Sequence, residues 1–243
     1  MAAPVRIGVL VPAGNPTVEP EFYRMAPPGV TVHFSRLDTR GHEGTTGSHD
    51  GMVERTRSYV DALPAATRTL AAVAPAVVVF GHTGVSYVIG AAASAALPDR
   101  ITALTGAPSI MAAGAVAAAL AHLGVERLAI GTPYPESIST LSRAYWEAAG
   151  FEIVGYHRLE NVRNIYEETE ARAMELARRA HAPAADAVFL SGTGLPTVGA
   201  LERLEEELGK PVISGNQAAF WRALRLAGVR QAVPGFGRLL RET

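Results

Sequence analysis

Short apolar, β-branched runs alternate along the chain with longer segments of helical pattern, and this alternation constrains the fold most. The runs predict strands at residues 7–11, 30–34, 77–80, 128–130, 153–156, 188–190 and 212–213. They are almost continuously hydrophobic, which indicates strands that are buried on both faces. Strands of this kind separated by helices predict an α/β fold with parallel sheets that are flanked by helices on both sides.

The segments between these runs carry the spacing of amphipathic or buried helices. Helices are predicted at residues 52–73, 85–96, 109–123, 135–149, 165–180, 197–208 and 217–227. Gly124 and Gly150 stand where a helix ends in a left-handed residue, and Gly209-Lys210-Pro211 stops the helix before the last run.

A short internal repeat links the two halves of the chain. Residues 78–85 read VVFGHTGV and residues 188–195 read VFLSGTGL, so each is a buried strand followed by a Gly-Thr-Gly loop and a helix. Open α/β sheets bind ligands at the carboxyl ends of their strands. The repeat therefore predicts two similar lobes, each of which contributes a loop to one shared cleft.

Composition excludes several classes of partner. Lys and Arg number 22 against 23 Asp and Glu, with no long run of one sign, so nucleic acid is not an expected partner. The absence of cysteine excludes disulfides, thiolate metal sites and a cysteine nucleophile. The apolar stretch 110–123 is shorter than the ~20 residues that span a bilayer, and residues 7–11 are too short for a signal peptide. We expect a cytoplasmic protein with no membrane contact.

The two Gly-Thr-Gly loops have the chemistry of an anion site. Glycine-rich loops before helices present unpaired N–H donors, and hydroxyl side chains add directional ones. The sequence contains neither GxGxxG nor GxxxxGK[ST], which disfavours a dinucleotide or a nucleotide triphosphate. These loops therefore predict a site for a small anion.

His82 and Tyr134 are the catalytic candidates. His82 follows a predicted strand, and its ordinary pKa of ~6.5 suits proton transfer, although a lone histidine is often a structural residue. Tyr134 stands between Pro133 and Pro135, which would orient its hydroxyl toward an oxyanion, or its ring could simply cover the core. Both functional roles are our working hypotheses.

Several motifs resemble maleate isomerases and arylmalonate decarboxylases, two branches of the aspartate/glutamate racemase superfamily. The maleate isomerase pattern is carried by VLVPAGNPTVEPE at 9–21, Thr132-Pro133-Tyr134, residues 159–164 and VPGFGRLL at 233–240. Residues 211–228 resemble the end of the decarboxylases. The resemblance covers nearly the whole chain, and it places His82 and Gly192 where the family has its two catalytic cysteines.

The resemblance implies a site and a domain division. The implied substrate-binding residues are Asn15, Thr83, Gly84, Asn164, Gly192, Thr193 and Gly194. For Asn15 and Asn164 the alternative is a turn residue that bonds local backbone. The implied lobes comprise residues 1–107 plus 214–243, and residues 108–213, with the active site between them and assembly as a homo-oligomer.

The implied function is a cofactor-independent isomerase or decarboxylase of a small carboxylic or dicarboxylic acid, with His82 in the place of a catalytic thiol. One alternative is a hydrolase or hydratase in which His82, alone or with a metal, activates water. Another is a carboxylate-binding protein without catalysis. The Gly-rich stretch 39–51 is either a surface loop or a lid; it contains His42 and His49, whose spacing does not support a metal site.

Overall fold

Two parallel four-stranded sheets form the centre of the protein, whose computed structural model describes residues 3–38 and 46–242. The first sheet has the order β2-β1-β3-β4 and the second the order β6-β5-β7-β8. The strands are β1 (Val5–Pro12), β2 (Val30–Leu37), β3 (Val77–Phe80), β4 (Ser109–Met111), β5 (Arg127–Thr132), β6 (Glu152–Arg158), β7 (Ala187–Leu190) and β8 (Val212–Ser214). The shared strand order confirms two similar parallel sheets.

Helices connect the strands and cover the sheets. They are α1 (Val18–Met25), α2 (Met52–Ala71), α3 (Thr83–Ile89), α4 (Ala91–Ala95), α5 (Leu97–Thr105), α6 (Ala112–His122), α7 (Glu136–Ala148), α8 (Glu170–Ala180), α9 (Leu201–Leu208), α10 (Gly215–Leu226) and α11 (Arg238–Arg241). A short 3₁₀ turn, Ile165–Glu167, precedes α8. In the described part of the chain, no helix is both long and apolar enough to cross a membrane.

Some predicted helix bounds were wrong. The helix predicted at 109–123 begins only at Ala112, because Ser109–Met111 pairs with β3 as the edge strand β4. The helix predicted at 85–96 begins at Thr83 and is interrupted at Gly90, whose φ of 83° lies outside helical backbone. Helix α9 begins at Leu201 rather than at residue 197.

Helix α10 joins the end of the second sheet to the first. It follows β8 and packs against α1, α6 and β3. One hydrophobic cluster includes Val79 of β3, Phe189 of β7 and Phe220 of α10, so the apolar core is continuous through both sheets. The lobe bounds, 1–107 plus 214–243 and 108–213, stay a prediction; the pairing of β4 extends the first sheet to Met111.

Candidate active site

The loops that follow β3, β5 and β7 meet at the carboxyl ends of the two sheets. The Thr193 hydroxyl donates to the carbonyl oxygen of Gly81 at 2.9 Å, which ties the second Gly-Thr-Gly loop to the first. The hydroxyls of Thr83 and Tyr134 share a hydrogen bond of 3.0 Å. All four residues are buried. The structure therefore brings together the loops that the internal repeat predicted to share a cleft.

His82 caps the first turn of α3 with its ring. The imidazole Nδ1 accepts a hydrogen bond from the backbone N–H of Val85 at 3.1 Å, so the ring performs the task of an N-cap side chain. The centroid of the His82 ring lies 5.2 Å from the centroid of the Tyr59 ring. The structural role that we considered for a lone histidine is thus present, and it fixes the ring at the end of β3.

The pKa of His82 differs from the sequence expectation of ~6.5. Burial and, secondarily, the positive charge of Arg55 lower it to about 3. The imidazole is therefore neutral near pH 7. Because Nδ1 uses its lone pair to accept from Val85, the ring proton of the neutral form is on Nε2. His82 thus offers a hydrogen-bond donor, where the sequence had suggested a base that titrates near neutrality.

Tyr134 and Thr83 form a buried pair of hydroxyl groups. Burial raises the pKa of Tyr134 to about 12, so its phenol stays protonated and can donate. A Cβ on Gly84 would lie 2.9 Å from Cε1 of His82 and 3.2 Å from the Tyr134 hydroxyl oxygen. Glycine at this position therefore lets the imidazole and the phenol approach the same turn of backbone.

Gly192 lies beside the Thr-Pro-Tyr turn after β5. Its φ is 97°, and a Cβ there would lie 2.8 Å from Cγ of Pro133 and 3.7 Å from Cζ of Tyr134. Gly194 is equally confined, since its Cβ would meet the Tyr166 ring at 2.7 Å. At Gly192 and Gly194 the second loop thus approaches the candidate site with backbone atoms alone.

Asn15 combines a structural contact with an unused donor. Its Oδ1 accepts from the backbone N–H groups of Thr17 and Val18, at 2.8 and 3.1 Å, ahead of α1. Its Nδ2 is buried and has no hydrogen-bond partner among the described residues. A buried donor without an acceptor costs about 1–3 kcal/mol, so an anionic ligand there would relieve that cost.

Asn164 is occupied by local backbone. Its Nδ2 donates to the carbonyl oxygen of Thr46 at 3.0 Å, and its Oδ1 accepts from the N–H of Tyr166 at 2.9 Å. The side chain thus fastens the segment that begins at Thr46 to the second half of the chain. The turn role that we considered for this residue is present, and its part in substrate binding stays a prediction.

The stretch 39–51 is partly outside the described residues, and this part includes His42. His49 lies within them, and its Nε2 is 2.9 Å from the carbonyl oxygen of Pro133, next to Tyr134. The carbonyl oxygens of Ser48 and Asp50 accept from the Arg55 guanidinium at 2.5 and 3.0 Å. Across residues 3–38 and 46–242, no three His, Asp or Glu side chains lie close enough to hold a metal ion.

The sequence analysis missed three polar side chains next to His82. Arg55 and Tyr59 of α2 and Tyr166 line a small cavity with the imidazole. Arg55 is only 4% exposed. A signal was present, because Arg55 and Tyr59 follow Met52 at the helical spacing of a buried stripe. Arginine is almost never fully buried unless its charge is paired, so an arginine within such a stripe indicates a buried polar contact.

Comparison with known proteins gives the family. The arylmalonate decarboxylase family model matches residues 7–240. The arylmalonate decarboxylase of Bordetella bronchiseptica is 32% identical over 98% of this chain and 97% of that protein. The maleate isomerase of Nocardia farcinica is 30% identical over 98% of this chain and 96% of that protein.

Solved structures agree with these matches. A liganded double variant of arylmalonate decarboxylase superposes with a TM-score of 0.84 at 30% identity, covering 99% of this chain and all of that one. The Nocardia farcinica maleate cis-trans isomerase bound to TRIS gives 0.86 at 26% identity, covering 97% of both chains. Since sequence and structure match over almost the full length, the chain belongs to the arylmalonate decarboxylase family.

Proposed function

We propose that this protein is a cofactor-independent isomerase or decarboxylase of a small carboxylic or dicarboxylic acid. The reaction would be proton transfer or carbon–carbon cleavage next to a carboxylate. The observation that carries the proposal is the buried Thr83–Tyr134 hydroxyl pair, flanked by His82 and the 192–194 loop. It occurs in a chain whose relatives are named arylmalonate decarboxylase and maleate isomerase.

The substrate carboxylate would be held by hydroxyl, amide and backbone donors. Thr83, Tyr134 and Asn15 supply side-chain donors, and Gly84, Gly192, Thr193 and Gly194 supply backbone N–H groups. Asn164 is the remaining predicted contact. When negative charge moves onto the carboxylate as an enediolate forms, such fixed donors stabilise it, and each is worth ~10²–10³ in rate in other enzymes.

His82 would supply the proton. In a decarboxylation, the carbon–carbon bond breaks, carbon dioxide leaves, and the electron pair moves into the enediolate. The Nε2–H bond of the neutral imidazole then breaks as a carbon–hydrogen bond forms, which leaves an imidazolate. The imidazolate takes a proton from water, and the hydroxide combines with the released carbon dioxide as bicarbonate. A thiol cannot take this part, because the chain has no cysteine. The covalent succinylcysteine captured in a variant of the Nocardia farcinica isomerase therefore cannot form here.

The test is turnover of maleate, malonate and aryl- or alkylmalonates, followed by proton NMR in deuterium oxide. We expect one class to isomerise or to lose carbon dioxide with deuterium incorporated next to the remaining carboxylate. Tyr134→Phe and Thr83→Val should lower that rate. The proposal fails if no acid in the panel reacts, whether or not one of them raises the thermal unfolding temperature.

The two alternatives have no observation in their favour. A hydratase would convert maleate to a hydroxy acid, which the NMR spectrum distinguishes from an isomerised or decarboxylated acid. A hydrolase would instead cleave an ester or amide of these acids, which is added to the panel. A carboxylate-binding protein would show ligand-dependent thermal stabilisation without turnover. The same experiment therefore separates the three functions.

Assembly and location are also part of the proposal. We propose a cytoplasmic homo-oligomer; the family resemblance supports assembly, and the cysteine-free composition disfavours only a disulfide-stapled secreted protein. Light scattering coupled to size-exclusion chromatography measures the assembly, and a single subunit mass would contradict it.

A further inference from the structure

A buried carboxylate connects α1 to the loop that follows β7. Glu21 is 3% exposed. Its Oε1 accepts from the backbone N–H groups of Thr197 and Val198 at 2.5 and 2.9 Å, and its Oε2 accepts from Nδ2 of Asn216 at 2.6 Å. Glu21 follows a strand of the first sheet, whereas its three donors follow strands of the second.

The same contacts continue into the candidate site. Asn216 Nδ2 also donates to the carbonyl oxygen of Thr193 at 3.0 Å. The Thr17 hydroxyl, one turn before Glu21, donates to the carbonyl oxygen of Gly194 at 2.9 Å. The backbone from 193 to 198 is therefore fixed at four points by α1, its preceding residue and the start of α10.

The ionised form of Glu21 fits this arrangement. All three partners are donors, so a protonated carboxyl would direct its O–H at a donor and lose a hydrogen bond. Burial raises the pKa of Glu21 to about 6, against the lowering effect of its hydrogen bonds. Glu170 raises it slightly, and Arg24, on the same helix, is engaged with Glu170 at 3.1 Å. The carboxyl therefore changes charge in the mildly acidic range.

We propose that Glu21 is a positioning residue for the reaction proposed above. Its carboxylate holds the 193–198 backbone, and so keeps the 192–194 loop beside the Thr83–Tyr134 pair. Protonation of Glu21 weakens this hold. The inference rests on the proposed function only for its kinetic consequence, since the loop can be observed without a substrate.

The first experiment compares Glu21→Gln with Glu206→Gln, an exposed glutamate on α9. The glutamine presents one donor where Asn216 Nδ2 requires an acceptor. We expect amide hydrogen exchange in residues 191–198 to accelerate at neutral pH in Glu21→Gln but not in Glu206→Gln. In wild type, exchange corrected for intrinsic rates should accelerate only as the pH falls through about 6. With an acid that the enzyme converts, kcat of Glu21→Gln should be ~10- to 100-fold lower than that of wild type, as for a small displacement of catalytic groups. Wild-type kcat should fall as the pH drops through about 6, and this fall should be absent in Glu21→Gln.

Asn216→Asp gives a signature that a simple loss of stability would not produce. This change places two carboxylates against each other, which raises the pKa of the pair until they share one proton. Loop protection and kcat should therefore recover in Asn216→Asp as the pH falls, opposite to wild type. This variant also keeps the inference testable if Glu21→Gln does not fold.

The outcomes separate the inference from the proposed function. Unchanged exchange at 191–198 in Glu21→Gln, or an Asn216→Asp variant that follows the wild-type pH dependence, would overturn the role of Glu21. Changed exchange without turnover of any acid would support the hold on the loop and contradict the proposed function. Turnover that is equal in wild type and Glu21→Gln, per folded molecule, would overturn the inference alone.

Discussion

Two substitutions of His82 separate its structural contact from its chemistry. In His82→Asn, the amide oxygen can accept from the Val85 N–H as Nδ1 does, because asparagine is a favoured N-cap residue. In His82→Ala, that buried N–H loses its partner. Loss of a cap costs about 1 kcal/mol and an unsatisfied buried donor about 1–3 kcal/mol, so we expect His82→Ala to be about 2 kcal/mol less stable than His82→Asn. For a chain of this length that is roughly 4–8 °C in unfolding temperature.

Activity should follow a different pattern. Both variants lack Nε2–H, so kcat should fall by ~10²–10⁴ in each while the substrate KM changes little. Unfolding followed by circular dichroism, together with kcat per folded molecule, measures the two effects. A His82→Asn variant with near-wild-type turnover would refute the assignment of His82. Equal stability of the two variants would refute the capping role.

The pH dependence provides a second check. The pKa of His82 in the folded protein, about 3, is below its ordinary value, so the folded state binds fewer protons than the unfolded one. The folded state with neutral His82 therefore has its full stability above pH ~6.5, and it loses stability as the pH falls toward 3. Wild type should therefore lose more stability than His82→Asn over this range. Turnover should show no change near pH 6.5 that is due to His82. Any pH dependence of turnover in that range should therefore be the same in wild type and in His82→Asn.

Three further variants test the rest of the site. Tyr134→Phe should lower kcat by ~10²-fold, because it removes one oxyanion donor and the bond to Thr83; steady-state kinetics check this, and an unchanged kcat would contradict it. Asn15→Ala should raise KM by ~10-fold or more in steady-state kinetics, since the buried Nδ2 of Asn15 is the unused donor. An unchanged KM would contradict the role of Asn15 in binding. Gly192→Cys should lower the unfolding temperature, because φ is 97° and Pro133 is 2.8 Å from the new Cβ. That variant, combined with His82→Cys, is a control: gain of maleate isomerisation would show that the carboxylate-binding residues are retained.

Much of the fold could be predicted because parallel strands buried on both faces have a strong sequence signal. Every strand in the described residues except β4 was predicted. Ser109–Met111 was missed because three apolar or small residues run directly into the Ala-rich α6, and periodicity does not separate a buried strand from a buried helix. Helix α1 was missed because Pro20 suggests a break, although proline is tolerated in a first turn.

The meeting of His82, Thr83 and the 192–194 loop could also be predicted, because the carboxyl ends of parallel strands share one edge of a sheet. The protonation state of His82 could not. It depends on burial and on Arg55, and neither the cap on Val85 nor the position of Arg55 is visible in the residues around position 82.

The position of Glu21 within helix α1 is a sign of burial that the sequence does contain. Glu19 and Glu21 are both acidic residues in the first turn of α1, which favours negative charge. Glu21, however, falls on the stripe with Val18, Phe22 and Met25, whereas Glu19 falls outside it and pairs with Arg36. Arg55 occupies the same kind of position in α2. A charged residue in an apolar stripe must find partners elsewhere in the fold. Glu21 and Arg55 both bond to backbone segments that border the candidate site. The helical spacing therefore indicates that both residues have buried partners, but only the folded structure shows which segments these are.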